Sequence, residues 1–283
     1  KMMKSAPVGL IYVSDYLRLK TYLAKDEIIK MFGGKRHRQA IVLHMNIVLM
    51  GVIVVVFGLC VGSFLNVCIY RIPASKSIVY PGSMCPTCGT TIRYYDNIPL
   101  IGYLWLAGKC RQCRSPISIR YPLIELLTGT VALGLFLKYG VSIEALIYFA
   151  FACVLIVITF IDIDYRIIPD RISLPGIVIF FLAAMAVPSM NWLDALLGVV
   201  IGGGSLFLVA FVYHLLTRKE GMGGGDIKLL AMIGALIGWK GVLFTIFVSS
   251  AVGTLSGLTI MMATRQNMKL AVPFGPFLSI GAL

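Results

Sequence analysis

The sequence predicts an all-α fold, a polytopic membrane protein of about eight helices interrupted by one large polar loop. Three observations carry that expectation. Of 283 residues, 59% are hydrophobic and only 13% charged, with a mean hydropathy of +0.91. Such a composition leaves too little polar surface for a water-soluble globule of this size. Apolar runs long enough to cross a bilayer recur along the chain, divided by short connections. Small-residue pairs at four-residue spacing, Gly58/Gly62, Gly198/Gly202, Gly234/Gly238 and Gly253/Gly257, supply the contacts by which membrane helices approach closely.

Taken in order, residues 1–44 stand apart, with nine Lys/Arg against three acids. They read as a basic N-terminal extension, possessing a loosely amphipathic stretch over 14–32, that need not belong to the core. The first transmembrane helix is expected over 45–70, stopped by Pro73. Residues 71–120 are the polar loop. Further helices are expected over 121–139, 143–161, 172–188, 192–216, 226–238 and 241–263, with a last run from about 270 that is cut short at Leu283. No internal repeat is evident.

Basic residues orient the helices. With the 71–120 loop in the cytoplasm, fourteen Lys/Arg fall on the cytoplasmic connections, and only Lys138 and Lys240 on the other side, the tail aside. The net charge of +13 therefore indicates cytoplasmic loops and contact with anionic membrane lipid, not nucleic acid. The same orientation puts Asp162 and Asp226 on the cytoplasmic side.

Four of the seven cysteines form two CxxC pairs, Cys85/Cys88 and Cys110/Cys113, with 21 residues between them. This spacing suits a tetrahedral four-thiolate zinc site, and a reducing cytoplasm disfavours the competing pair of disulfides. Four protein ligands leave no open position, so zinc there is structural. Cys60, Cys68 and Cys153 lie in apolar runs and read as packing residues.

Two acidic stretches stand out because the chain has only 12 acids. Asp162 and Asp164 follow the apolar run ending at Phe160, where an ionisable group is costly and therefore a functional candidate. Asp226 follows the glycine run Gly221-Met222-Gly223-Gly224-Gly225 and opens an apolar helix. Two carboxylates from separate helices at one membrane edge are what aspartyl hydrolysis needs: one keeps a proton and the other activates water. The helix after Asp226 favours Asp226 as the base. Gly223 and Gly225 would make room for a peptide backbone. Asp164 and Asp170 also fit ordinary interfacial carboxylates paired with Arg166 and Arg171. A transporter using the aspartates as proton or cation relays, and a scaffold whose loop docks a partner, are the rival readings. The first leaves the glycines unexplained and the second the aspartates.

Several motifs in register identify a resemblance from about Met45 to the C-terminus. They are Gly62-Ser63-Phe64-Leu65-Asn66-Val67, the two CxxC pairs, Asn97-Ile98-Pro99 leading to Gly108-Lys109-Cys110, and Arg120-Tyr121-Pro122-Leu123-Ile124-Glu125. The Asp162–Asp170 segment, Gly223-Gly224-Gly225-Asp226-Ile227-Lys228-Leu229 and Pro273-Phe274-Gly275-Pro276 complete the set. Together they resemble the type IV prepilin leader peptidases, which are bifunctional leader peptidase/N-methyltransferases. The resemblance implies a membrane aspartyl endopeptidase of the bacterial inner membrane with its active site on the cytoplasmic side. It would cut type IV prepilins and pseudopilins after a glycine, then N-methylate the new terminus with S-adenosylmethionine. It also implies Asp162 and Asp226 as the catalytic pair, with Asp164 as the alternative for the first position, and 121–283 as the peptidase domain. Methyl transfer attaches to the 71–120 loop through Gly108, with Glu125 behind it, a structural role for both staying open.

Overall fold

The computed structural model describes residues 35–218, 223–264 and 273–283. The expected helix over 14–32, Gly221 and Met222 of the glycine run, and the basic residues Lys219, Arg265 and Lys269 lie outside the described residues. Within them the chain is helical: α1 Lys35–Arg71, α2 Ile101–Trp105, α3 Arg120–Tyr139, α4 Ile143–Tyr165, α5 Asp170–Ala184, α6 Trp192–Thr217, α7 Gly224–Thr264 and α8 Gly275–Ala282. Five of these carry segments long and apolar enough to cross a membrane: Met45–Arg71, Arg120–Tyr139, Ile143–Tyr165, Trp192–Thr217 and Gly224–Thr259. The chain is thus a multi-pass membrane protein of the expected all-α class.

Several boundaries differ from the sequence-based ones for physical reasons. α1 starts at Lys35, not near Met45, because nothing between them breaks a helix. α4 continues through Tyr165, so Asp162 sits one turn inside the helix and not just beyond it. α7 joins the two helices expected over 226–238 and 241–263. The join is broken at Gly238, whose φ of 70° and ψ of 178° interrupt the helical path. At 36 residues its apolar part is far longer than the ~20 that one crossing needs. α5 ends at Ala184 and carries Pro175 inside, and α8 begins only at Gly275.

Two compact units partition the chain, Lys1–Asn66 with Pro81–Ala150, and Val67–Tyr80 with Phe151–Leu283. In the first, α1 and α3 meet through small residues as their spacing predicts. A β-carbon on Gly58 would sit 2.8 Å from both Ala132 Cβ and Gly129 Cα, and one on Gly62 would sit 2.7 Å from Glu125 Cα. Asn66 seals the end of this seam by donating from Nδ2 to the carbonyls of Gly62 and Tyr121, each at 3.2 Å.

The second unit is built around α4 and the first half of α7. Phe151, Leu155, Ile158 and Ile161 of α4 are buried with Leu229, Leu230, Met232, Ile233 and Leu236 of α7. α6 crosses α7 backbone to backbone: Gly198 meets Gly234, and a β-carbon on Gly202 would lie 2.5 Å from the Leu230 carbonyl oxygen. A β-carbon on Gly253 would meet the Phe277 ring of α8 at 3.4 Å, whereas one on Gly257 would have nothing within 4 Å among the described residues. Cys68 and Cys153 are buried as packing residues, whereas Cys60 is exposed.

Candidate functional site

Asp162 and Asp226 come together within the second unit, linked by Ile168, which packs on Gly225 beside Asp226 and on Gly275, whose N–H bonds Asp162. Asp162 is only 5% exposed. Its Oδ2 accepts the backbone N–H of Gly275, at the start of α8, at 3.0 Å. Asp226 lies in the first turn of α7 and is half-buried, its N–H donating to the Gly223 carbonyl at 3.2 Å. Ile168 wedges the pieces together. β-Carbons on Gly225 and Gly275 would lie 2.8 Å from Ile168 Cβ and 3.4 Å from Ile168 Cδ1 respectively. Both aspartates therefore sit beside a helix N-terminus, so the helix after Asp226 does not by itself select Asp226 as the base.

The neighbouring acids separate cleanly. Asp164 is exposed, unlike Asp162. Asp170 opens α5 and pairs with Lys228 of α7, not with Arg166 or Arg171, as the sequence had suggested. Gly225 packs on Ile168, where a β-carbon would lie 2.8 Å from Ile168 Cβ. Gly223 and Gly224 are exposed, a β-carbon on Gly223 lying 3.9 Å from Asp226 Oδ2, so any room for a backbone is at those two positions.

In the first unit the four cysteines converge, their sulfurs all within 4.8 Å of one another. Cys85 and Cys113 are 3.9 Å apart. Tetrahedral coordination with metal–sulfur bonds of 2.3 Å implies sulfur separations of about 3.8 Å, so the set needs little adjustment to hold a metal ion. The two knuckles are structural copies, a local repeat that the sequence analysis passed over. In each, the first cysteine N–H bonds the carbonyl of the hydroxyl residue five positions on: Cys85 to Thr90 at 2.9 Å, Cys110 to Ser115 at 2.8 Å. Each turns through one residue of positive φ, Gly89 or Arg114, and closes on a bridge, Met84 with Thr91 or Lys109 with Pro116. The Cys88 and Thr87 N–H groups pull the Cys85 thiol down to about 6, helped by the Ser115 hydroxyl. The same hydroxyl lowers Cys113. Thiolates are the form that binds metal.

Gly108 and Glu125 also lie in this unit, and both shape the loop. Gly108 turns with φ of +67°, donating to the Tyr103 carbonyl at 2.9 Å and accepting from Ile117 N–H at 2.7 Å. Glu125 is buried on α3, where Oε2 accepts the Leu100 N–H at 2.8 Å. Leu100 is held at φ 59° just before α2. Gly62 and Asn66 thus dock the start of α3, which accounts for their occurrence in one motif. Arg111, between the second pair of cysteines, forms a bidentate pair with Asp96, Nε to Oδ2 at 2.8 Å and Nη2 to Oδ1 at 2.6 Å. Asn66, Ile168, Lys228, Arg111 and Gly275 also shape these sites, in roles that their spacing in the sequence does not reveal. Only an uncommon polar or basic residue at the edge of an apolar run hinted at the first and third.

Residues 56–139 match the family described as the bacterial peptidase A24 N-terminal domain, and residues 149–258 match the type IV leader peptidase family. A Pseudomonas putida protein named prepilin leader peptidase/N-methyltransferase is 37% identical over 252 residues, covering 80% of this chain and 86% of the relative. Proteins of the same name from Neisseria gonorrhoeae and Pseudomonas aeruginosa are 40% identical over 255 residues and 36% over 249, each covering 80% of this chain and 86% of the relative. No solved structure matches the chain.

Proposed function

The chain belongs to the type IV leader peptidase family, and from that membership we propose that it removes the leader from type IV prepilins and pseudopilins and methylates the new N-terminus. It is a peptidase with N-methyltransferase activity, as its curated relatives are named. We place the cut after a glycine, at the cytoplasmic face of the bacterial inner membrane.

The observation that best supports the peptidase reading is the approach of Asp162 and Asp226 from separate helices. Two close carboxylates share a proton, because both cannot ionise cheaply side by side. The ionised member takes a proton from water as that water attacks the scissile carbonyl. The protonated member then supplies its proton to the departing amine, which completes hydrolysis. The pair acts as a unit, and the two roles are not divided between its members. Asp164, being exposed, is left outside the pair. Gly223 supports Asp226 from the exposed side, and Gly225 holds the glycine run on Ile168.

Zinc is the metal that the four thiolates of Cys85, Cys88, Cys110 and Cys113 suit, in a closed, structural role. S-Adenosylmethionine supplies the methyl group when bound. Gly108 and Glu125 are engaged in holding the loop, so their part in methyl transfer is to shape it, and no contact with the methyl donor is assigned to them.

Co-expression with a type IV prepilin tests the function. Intact mass should show loss of the leader and one added methyl; a full-length, unmethylated prepilin contradicts the proposal.

A further inference from the structure

Pro273-Phe274-Gly275-Pro276 is used by neither the thiolate cluster nor the aspartates' own helices, and it lies beyond residues 149–258 of the family match. Its place in the fold gives it a task. The first N–H groups of a helix have no partner inside the helix. At the start of α8, Pro276 has no N–H, and the Phe277 and Leu278 N–H groups both turn back to the Phe274 carbonyl, at 3.1 and 3.2 Å. The Gly275 N–H is the remaining donor of that turn, and it goes to Asp162 Oδ2.

A side chain at that point would press on the Asp162 carboxylate. A β-carbon on Gly275 would lie 2.6 Å from Asp162 Oδ2 and 3.2 Å from its Cγ. The seat of α8 is fixed independently of this bond. Leu278 is fully buried, the Thr245 hydroxyl donates to the Gly281 carbonyl at 3.3 Å, and a β-carbon on Gly281 would sit 2.8 Å from the Thr245 carbonyl oxygen. The donor is therefore delivered by a helix anchored one to two turns away.

We propose that Gly275 is a positioning residue of the peptidase: its backbone N–H holds Oδ2 of Asp162, leaving Oδ1 as the oxygen available to the attacking water or the shared proton. This rests on Asp162 and Asp226 being the catalytic pair. A carboxylate free to rotate would spend time with neither oxygen aligned, so loss of the donor lowers turnover more than substrate binding. A hydrogen bond to a charged group of this kind corresponds to a change in rate of roughly tenfold or more.

The test uses the purified full chain and a prepilin, with kcat and KM for cleavage measured beside methylation of a leaderless pilin. Replacing the Gly275 amide by an ester, through incorporation of glycolic acid at that position, removes the N–H and adds no atoms to the side chain. The ester form should lose kcat about tenfold or more, with KM within about twofold and methylation retained. Gly275→Ala should lose more, because its β-carbon displaces the carboxylate. Gly281→Ala crowds the same helix without reaching Asp162, and should lower the melting temperature with a smaller loss of kcat. An ester form with wild-type kcat overturns the proposal, as does a Gly281→Ala loss equal to that of Gly275→Ala. Asp162→Asn is run alongside. If it cleaves normally, the catalytic pair itself is wrong. If it is inactive while the ester form is normal, only the role of Gly275 fails.

Discussion

Lys228, two residues beyond Asp226, closes on both oxygens of Asp170, with Nζ 2.7 Å from Oδ1 and 2.8 Å from Oδ2. The pair ties the start of α7 to the first turn of α5, two residues beyond the Ile168 wedge.

Both partners are partly exposed, so the ion pair adds only ~0.2–1 kcal/mol to stability. Lys228→Met should therefore shift the melting temperature by no more than about 4 °C. Cleavage should nevertheless fall several-fold as the segment bearing Ile168 loosens. The charge swap Lys228→Asp with Asp170→Lys should recover part of that loss. A swap no better than the single changes contradicts a positioning role.

The backbone crossing of α6 and α7 supports the helix that bears Asp226. Gly202→Ala would push a β-carbon into the Leu230 carbonyl and should destabilise the protein by about 1–3 kcal/mol. Gly204 has nothing within 4 Å of an added β-carbon, and Gly204→Ala should be neutral. Thermal unfolding in detergent compares them; equal midpoints would remove the crossing from the account of stability.

The Arg111 guanidinium, hydrogen-bonded to Asp96, holds that carboxyl below its ordinary value of 3.8. The folded value is depressed, so the stabilisation is present above pH 3.8 and is lost as pH falls through the lowered folded value. The Asp96 carboxyl carbon resonance should titrate below 3.8, and return to about that value in Arg111→Ala. A wild-type midpoint at or above 3.8 contradicts the pairing.

Metal analysis of the purified chain should find one zinc ion, lost in both Cys85→Ser and Cys113→Ser. Chelation should first expose the 81–117 segment to protease while the membrane helices stay intact. A metal-free preparation with an equally resistant loop contradicts a structural zinc site.

Much of the helical order is visible in the sequence because apolar runs and membrane spans share one length scale. The break at Gly238 and the seams at Gly58/Gly62 and Gly198/Gly202 follow from glycine spacing. The placement of Asp162 was less legible. Hydropathy ends its run near Ile161, whereas backbone hydrogen bonding carries α4 to Tyr165 and so buries Asp162. The Cys85 and Cys110 knuckles were legible as ligands, and their shared CxxC-x-hydroxyl pattern, ending in Thr90 and Ser115, could have revealed the repeat. Lys228 with Asp170 and Gly275 with Asp162 could not be read from spacing. The partners are 58 and 113 residues apart, and a glycine N–H leaves no chemical signature in a sequence.

The most direct measurement is prepilin cleavage by the purified Asp162→Asn and Asp226→Asn proteins, with methylation of a leaderless pilin as the check on integrity. Each amide keeps the size of the side chain but cannot exchange the proton. Cleavage should fall by a factor on the order of 10² or more in both variants, with methylation retained. Cleavage at the wild-type rate by either variant would contradict the assignment of Asp162 and Asp226 as the catalytic pair.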